Sequence, residues 1–186
     1  MHRIIDWLAR SMALLGGAAL GLLILLVCVS VAGRTLNTML HGWIGTLAPD
    51  AAQWALDLGA GPVNGDFEIV EVGIAFAIFA FLPLCQVRGG HAVVDIFTAR
   101  LPPRIDRVLS AIVDTVFAAV LVLIAVQLCG GMLAKHRYGD DTLILQFPVW
   151  WGYAASLVPA TLAAVVGVYM AAMRIAEAAT GREILP

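Results

Sequence analysis

Four long apolar runs alternate with polar stretches along this chain. The first, residues 11–33, holds no charged residue until Arg34, and as a helix rising 1.5 Å per residue it suffices to cross a hydrocarbon core of roughly 30 Å. Residues 69–87, 108–134 and 149–173 repeat the pattern. The sequence therefore predicts an all-α membrane protein with four transmembrane helices, in a single domain covering residues 1–186. Gly17 and Gly21 form a GxxxG pair in the first span, the spacing that lets another helix approach closely. Pro83 is expected to kink the second helix near its exit. Gly130-Gly131, followed by Lys135-His136-Arg137-Tyr138, is expected to end the third.

Between the second and third runs lies a polar segment with a pattern of its own, Arg88-Gly-Gly-His-Ala-Val-Val-Asp-Ile-Phe-Thr-Ala-Arg-Leu-Pro102. As a helix over residues 90–101, it places His91, Asp95 and Thr98 on one face and Val93, Val94, Phe97 and Leu101 on another. His91 and Asp95 sit one turn apart, and Arg88 lies one turn before His91. Gly89 and Gly90 allow a sharp turn out of the preceding span, and Leu101-Pro102-Pro103 stops the segment. An amphipathic helix lying along the membrane surface is the expectation, with an ordinary polar loop as the alternative.

The remaining connections carry turn and interface signals. Residues 34–66 form a long outward loop, in which residues 51–58 can make one or two helical turns with Asp50 as N-cap, and Trp43 and Trp54 fit an interfacial aromatic belt. Asp140-Asp141-Thr142 reads as a short polar turn before Phe147-Pro148-Val149-Trp150-Trp151 opens the fourth span.

Composition agrees with the pattern: 61% of residues are hydrophobic and only 13% charged, with a mean hydropathy of +0.93, where a soluble chain carries roughly 25% charged residues. A net charge of −2 gives no basic footprint for nucleic acid. Cys28, Cys85 and Cys129 sit singly in apolar runs and read as small buried hydrophobes. Charge placement orients the helices. Arg3, Arg10, Arg88, Arg100, Arg104, Arg107, Arg174 and Arg182 fall on one side, against Arg34, Lys135 and Arg137 on the other. By the positive-inside rule, both termini and the segment after Arg88 face the cytoplasm.

Chemistry within the spans is sparse. His2, His41, His91 and His136 fall in tails, loops or the amphipathic segment, so no span offers a mid-depth histidine to a haem, and no metal or other cofactor is expected. No nucleotide-binding loop or nucleophile-base pair is present to support an enzyme reading. Asp114, about two turns into the third span, is an ionisable residue in an apolar run. It reads as a proton or ion carrier, or as a polar pin reaching Arg104, Arg107 or a partner's cation. Glu68 and Glu71 sit where a helix macrodipole favours acids. Four helices without broken half-helices or an internal repeat make a poor stand-alone transporter, which favours a membrane subunit serving a larger protein.

These residues together resemble the DctQ-like small membrane subunit of tripartite ATP-independent periplasmic (TRAP) transporters, over essentially the full chain. The matching features are a first span ending at Arg34, Glu68 at the family's acidic position, Arg88-Gly-Gly-His91 followed by Val94-Asp95 and Leu101-Pro102, a polar turn with Thr142, and Pro148 and Trp150 opening the last span. The resemblance implies a bacterial inner-membrane subunit of a sodium-coupled importer of a carboxylate-bearing organic solute. A fixed bundle of this kind would brace a large elevator-type membrane subunit, with its outward loops able to meet the periplasmic solute-binding protein. Solute and sodium sites would belong to the large subunit. Arg34, Glu68, Arg88, His91, Asp95 and Asp114 are then structural or partner-contact candidates, and surrounding lipids are the other partner. Two departures from the family stand out: Glu71 one turn after Glu68, and the long 34–66 connection. Two other classes remain open, a self-sufficient ion-coupled carrier using Asp114 or Glu71, and the membrane anchor of a redox complex.

Overall fold

The computed structural model describes residues 2–42, 46–57, 59, 61–89 and 103–180. Five helices account for most of them: α1 (His2–His41), α2 (Pro49–Asp57), α3 (Asp66–Arg88), α4 (Pro103–Tyr138) and α5 (Trp150–Thr180). Four of these, α1, α3, α4 and α5, are long and apolar enough to cross a membrane, and no strand occurs among the described residues. Each extends past the apolar run that predicted it. The 40 residues of α1 amount to about 60 Å, twice a hydrocarbon core, so this helix tilts steeply or projects beyond the core.

The four long helices stand in a row. α1 packs on α3, α3 on α5 and α5 on α4, while the other pairs barely touch. A fixed bundle was expected, and the structure gives an open layer instead. Side-chain size is the physical reason. α5 buries Gly152, Ser156, Ala160, Ala163, Ala164 and Gly167, small enough to admit neighbours on two sides, and half of its most apolar stretch is enclosed, against 11% for α1. Leu121 and Ala125 of α4 pack with Ala163 and Ala164 of α5, and Leu82 of α3 closes the cluster. On α1 the close approach falls one residue from the predicted pair: a Cβ at Gly16 would lie 2.9 Å from that of Ala80, whereas Gly17 and Gly21 have nothing within 4 Å.

Alternation of the helices gathers the connections. The C-terminus of α1, the N-terminus of α3 and the α4–α5 connection meet at what we term the loop end. The N-terminus of α1 and the C-termini of α3 and α5 lie at the opposite, tail end.

Several expectations for the connections are corrected. α1 does not stop at Gly33 but runs to His41, because Leu36, Met39 and Leu40 continue its apolar content and residues 34–41 hold no glycine or proline. The chain then returns across α1 so closely that a Cβ at Gly33 would run into the carbonyl of Gly61. In α2, Asp50 occupies the first turn behind Pro49 and is not the N-cap; proline suits the first helical position because its missing N–H is not needed there. α4 continues through Gly130 and Gly131 and ends only at Gly139, whose φ of 65° is the left-handed turn that closes helices. Gly131 is tolerated because the ring of Tyr153 fills the space a side chain would need, 2.9 Å from its ideal Cβ position. α3 runs through Pro83, which is fully buried, to Arg88 and closes at Gly89, φ 56°. The expected amphipathic helix at 90–101, with His91 and Asp95, lies outside the described residues.

Candidate functional site

The head of α3 is where sequence acids become structural ties. Gly65 precedes it in the left-handed region, φ 79°, and no side chain caps the helix, so Asp66 and Glu68 are oriented outward to other elements. Asp66 Oδ2 accepts a 2.5 Å hydrogen bond from Oγ of Ser30 on α1 and lies 3.2 Å from Nη2 of Arg34, one turn further along α1. Its other oxygen accepts the backbone N–H of Phe67 at 2.8 Å. Ser30 is fully buried and the Arg34 side chain is 63% exposed, so one carboxylate joins a dry and a wet tie to the same helix.

Two residues on, Glu68 reaches the other way. Its Oε1 and Oε2 accept the backbone N–H groups of Ile144 at 2.8 Å and Leu145 at 2.9 Å. Paired N–H groups in a tight loop form a cradle for an anion, and here a carboxylate of the chain itself occupies it. Leu145 also covers Gly65, where any Cβ would collide with its side chain.

The expected polar turn at 140–142 is the edge of this built loop. Thr142 N–H donates to Phe147 O at 3.0 Å, Phe147 N–H returns to Thr142 Oγ1 at 3.2 Å, and Val149 N–H reaches Asp140 O at 2.9 Å. An antiparallel bridge between Asp141 and Pro148 closes it, and Gln146 takes a positive φ of 52° at its tip. Lys135 at the end of α4 holds Asp140 at 2.7 Å, and His136 meets Trp150 edge-on at 5.1 Å between ring centroids. Leu143, by contrast, projects outward and is 94% exposed.

Below this loop a half-open groove of about 360 Å³ runs between α3 and α5, with Leu128 of α4 at one side. Glu68, Glu71 and Thr142 line its loop-end mouth, and Ala75 and Phe79 its deeper wall. Ser156 also lines it; this side chain is buried and its hydroxyl has no hydrogen-bond partner.

At the tail end the polar contacts lie between α4 and α5. Nε of Arg174 lies 3.5 Å from Oδ2 of Asp114, an ion-pair distance without hydrogen-bond alignment, while its Nη1 donates to Oε2 of Glu177 at 3.0 Å. The Glu177 side chain is almost completely buried. Arg174, in sequence only a marker of orientation, thus meets Asp114 from the neighbouring helix.

Among the sequence candidates, Arg34 and Glu68 come to the loop end, Asp114 to the tail-end cluster, and Arg88 to the exposed last turn of α3; His91 and Asp95 lie outside the described residues. Ser30, Asp66, Arg174 and Glu177 were not among them. A lone serine in an apolar run and an acid in the last turn of a span were the available signals. No group of three His, Cys, Asp or Glu side chains placed to hold a metal occurs among the described residues.

The family model described as "Tripartite ATP-independent periplasmic transporters, DctQ component" matches residues 23–177. The chain belongs to the DctQ family. It is a small membrane subunit of a TRAP transporter, a multi-pass protein that works in a complex with other subunits. The match runs from the middle of α1 to Glu177, so it takes in the loop-end ties of this DctQ protein and its tail-end cluster alike. No curated protein and no solved structure matches the chain.

Proposed function

We propose that this DctQ subunit is the fixed brace of a sodium-coupled importer of a carboxylate-bearing organic solute, held in the bacterial inner membrane with both termini in the cytoplasm. The observation that carries the reading is the open row. Four helices that touch only in sequence along a layer leave long apolar flanks on α1 and α4, with Leu22, Leu25, Leu123 and Val126 all exposed. A layer suits a plank laid against a larger protein better than a bundle enclosing a path of its own.

On this reading the large elevator-type subunit holds the solute and sodium sites, and the row widens the static base against which its moving part slides. The loop-end ties serve that role. Asp66 keeps α1 on α3, and Glu68 keeps α3 under the α4–α5 loop, so the outer helices do not peel away when the partner moves. The same loop presents Leu143 on the side where the solute-binding protein would dock. Asp114 acts as a pin between helices. Its ion pair with Arg174 weighs against a mobile proton or ion carrier at that position.

The test is uptake into proteoliposomes under an imposed sodium gradient, with solute delivered by its binding protein, comparing the large subunit alone with the two membrane subunits together. Uptake only when both are present is the expected result. Equal uptake by the large subunit alone, or transport by the DctQ chain alone, would overturn the reading.

A further inference from the structure

We infer that the groove between α3 and α5 is a binding site for one phospholipid with a primary-amine headgroup, in the leaflet at the loop end. The lining is graded along the helix axis. Glu68, Glu71 and Thr142 stand at the mouth, and below them the walls are Ala75, Phe79 and Leu128. Eleven residues separate Glu68 from Phe79, so at 1.5 Å per residue the groove follows α3 for about 16 Å. Half of a hydrocarbon core of roughly 30 Å is close to that length, so the groove is one leaflet long, with its two carboxylates at the headgroup end beside the apolar Phe147 and Val149, and Ala75, Phe79 and Leu128 where acyl chains lie.

Two polar groups choose the occupant. Glu68 is already occupied by the N–H groups of Ile144 and Leu145. Glu71, one turn deeper, is exposed, and no cation pairs with it among the described residues. A bare carboxylate beside apolar surface disfavours an anionic headgroup and favours an ammonium, which offers both charge and N–H donors. Ser156 supplies the second element. The residue lines the groove, and its hydroxyl is buried just behind the groove wall and lacks a partner, although a serine within a helix ordinarily bonds back to a carbonyl of the preceding turn. A buried hydroxyl left unpaired costs stability, and rotation of the Ser156 side chain toward the groove would let a glycerol ester carbonyl accept its proton. The proposal is independent of the transport reading, since the groove belongs to this chain alone.

The experiment is native mass spectrometry of the full chain released from detergent, with phosphatidylethanolamine or phosphatidylglycerol added as probe, on wild type, Glu71→Gln and Ser156→Ala. One retained phosphatidylethanolamine per chain is expected, preferred over phosphatidylglycerol by about five-fold, as a single exposed charge pair provides. Glu71→Gln, a change at an exposed position that leaves the fold intact, removes the preference. Ser156→Ala weakens retention of both probes and leaves the preference in place. Equal retention of the two probes by wild type, an unchanged preference in Glu71→Gln, or no retained lipid at all would overturn the site. So would recovery of the native complex with a polypeptide of the large subunit cross-linked at position 75, which would show that a protein and not a lipid fills the groove.

Discussion

At the loop end, carboxylates at the head of α3 bond to a hydroxyl, a guanidinium and two backbone N–H groups on other elements; at the tail end, two acids share one arginine between α4 and α5. The first arrangement spreads single acids across the row and ties α1, α3 and the α4–α5 loop in series. The second concentrates three charges on one helix pair that is already the most extensively packed. Reach and burial are thus traded against each other. A carboxylate bonding to backbone N–H groups needs no opposite charge, so it can hold a loop at the water boundary, whereas the enclosed Glu177 charge is paired with the Arg174 guanidinium.

The largest effect is expected where burial is deepest. Arg174→Leu removes the guanidinium that pairs with buried Glu177 and with Asp114, and should destabilise the folded chain by about 2 kcal/mol, less than loss of a fully enclosed pair would because the Arg174 side chain is 36% exposed. Thermal or denaturant unfolding of the purified chain reads this directly. Adding Glu177→Leu should recover roughly half of the loss, since replacing both members of a buried pair by apolar groups is often neutral. If the double variant is as unstable as the single one, the cluster is not the tail-end tie described here.

Glu68→Ala comes next, with an effect that is local in place of global. The N–H groups of Ile144 and Leu145 lose their acceptor, and their hydrogen exchange should accelerate by about ten-fold or more while amides in the middle of α5 keep their protection. Uniform acceleration along the chain would mean that Glu68 supports the whole row and not the loop alone.

The contrast between the ends also explains what the sequence discloses. Four apolar runs sufficed to place the spans, because crossing a hydrocarbon core demands length and apolarity that few other segments have. Helix ends were less legible. The change from apolar to polar at Arg34 marks where hydrocarbon stops, not where hydrogen bonding stops, and α1 continues for two further turns. Glu68 stood out as an acid at a helix start, yet its partners are backbone N–H groups 76 and 77 residues away, which no side-chain pattern encodes. Arg174 was counted as a marker of orientation and Asp114 as a charge in need of a partner. Their pairing required knowing that α5 packs on α4. The row itself was hidden, because the exposed apolar face of a membrane helix looks the same in sequence as its buried face.

The smallest effects concern Asp66, where two ties of different kind end on one oxygen. Ser30→Ala removes a neutral donor that is wholly buried; Arg34→Ala removes a full charge held by a side chain that is mostly in solvent. Counting charge alone, Arg34 should matter more. Solvent reverses that order, because an exposed guanidinium exchanges its carboxylate for water at little cost and its attraction is screened by salt over about 8 Å at physiological ionic strength. Ser30 supplies Asp66 with a donor from a buried position that water does not replace, and alanine there leaves Oδ2 with the exposed Arg34 alone. Ser30→Ala should therefore lower the melting temperature more than Arg34→Ala, whose shift should stay within about 3 °C and shrink further as salt is raised. Paired melting curves of the two variants at low and high salt make the comparison. A larger, salt-sensitive loss in Arg34→Ala would show that α1 is held to α3 by long-range charge and not by the dry hydrogen bond.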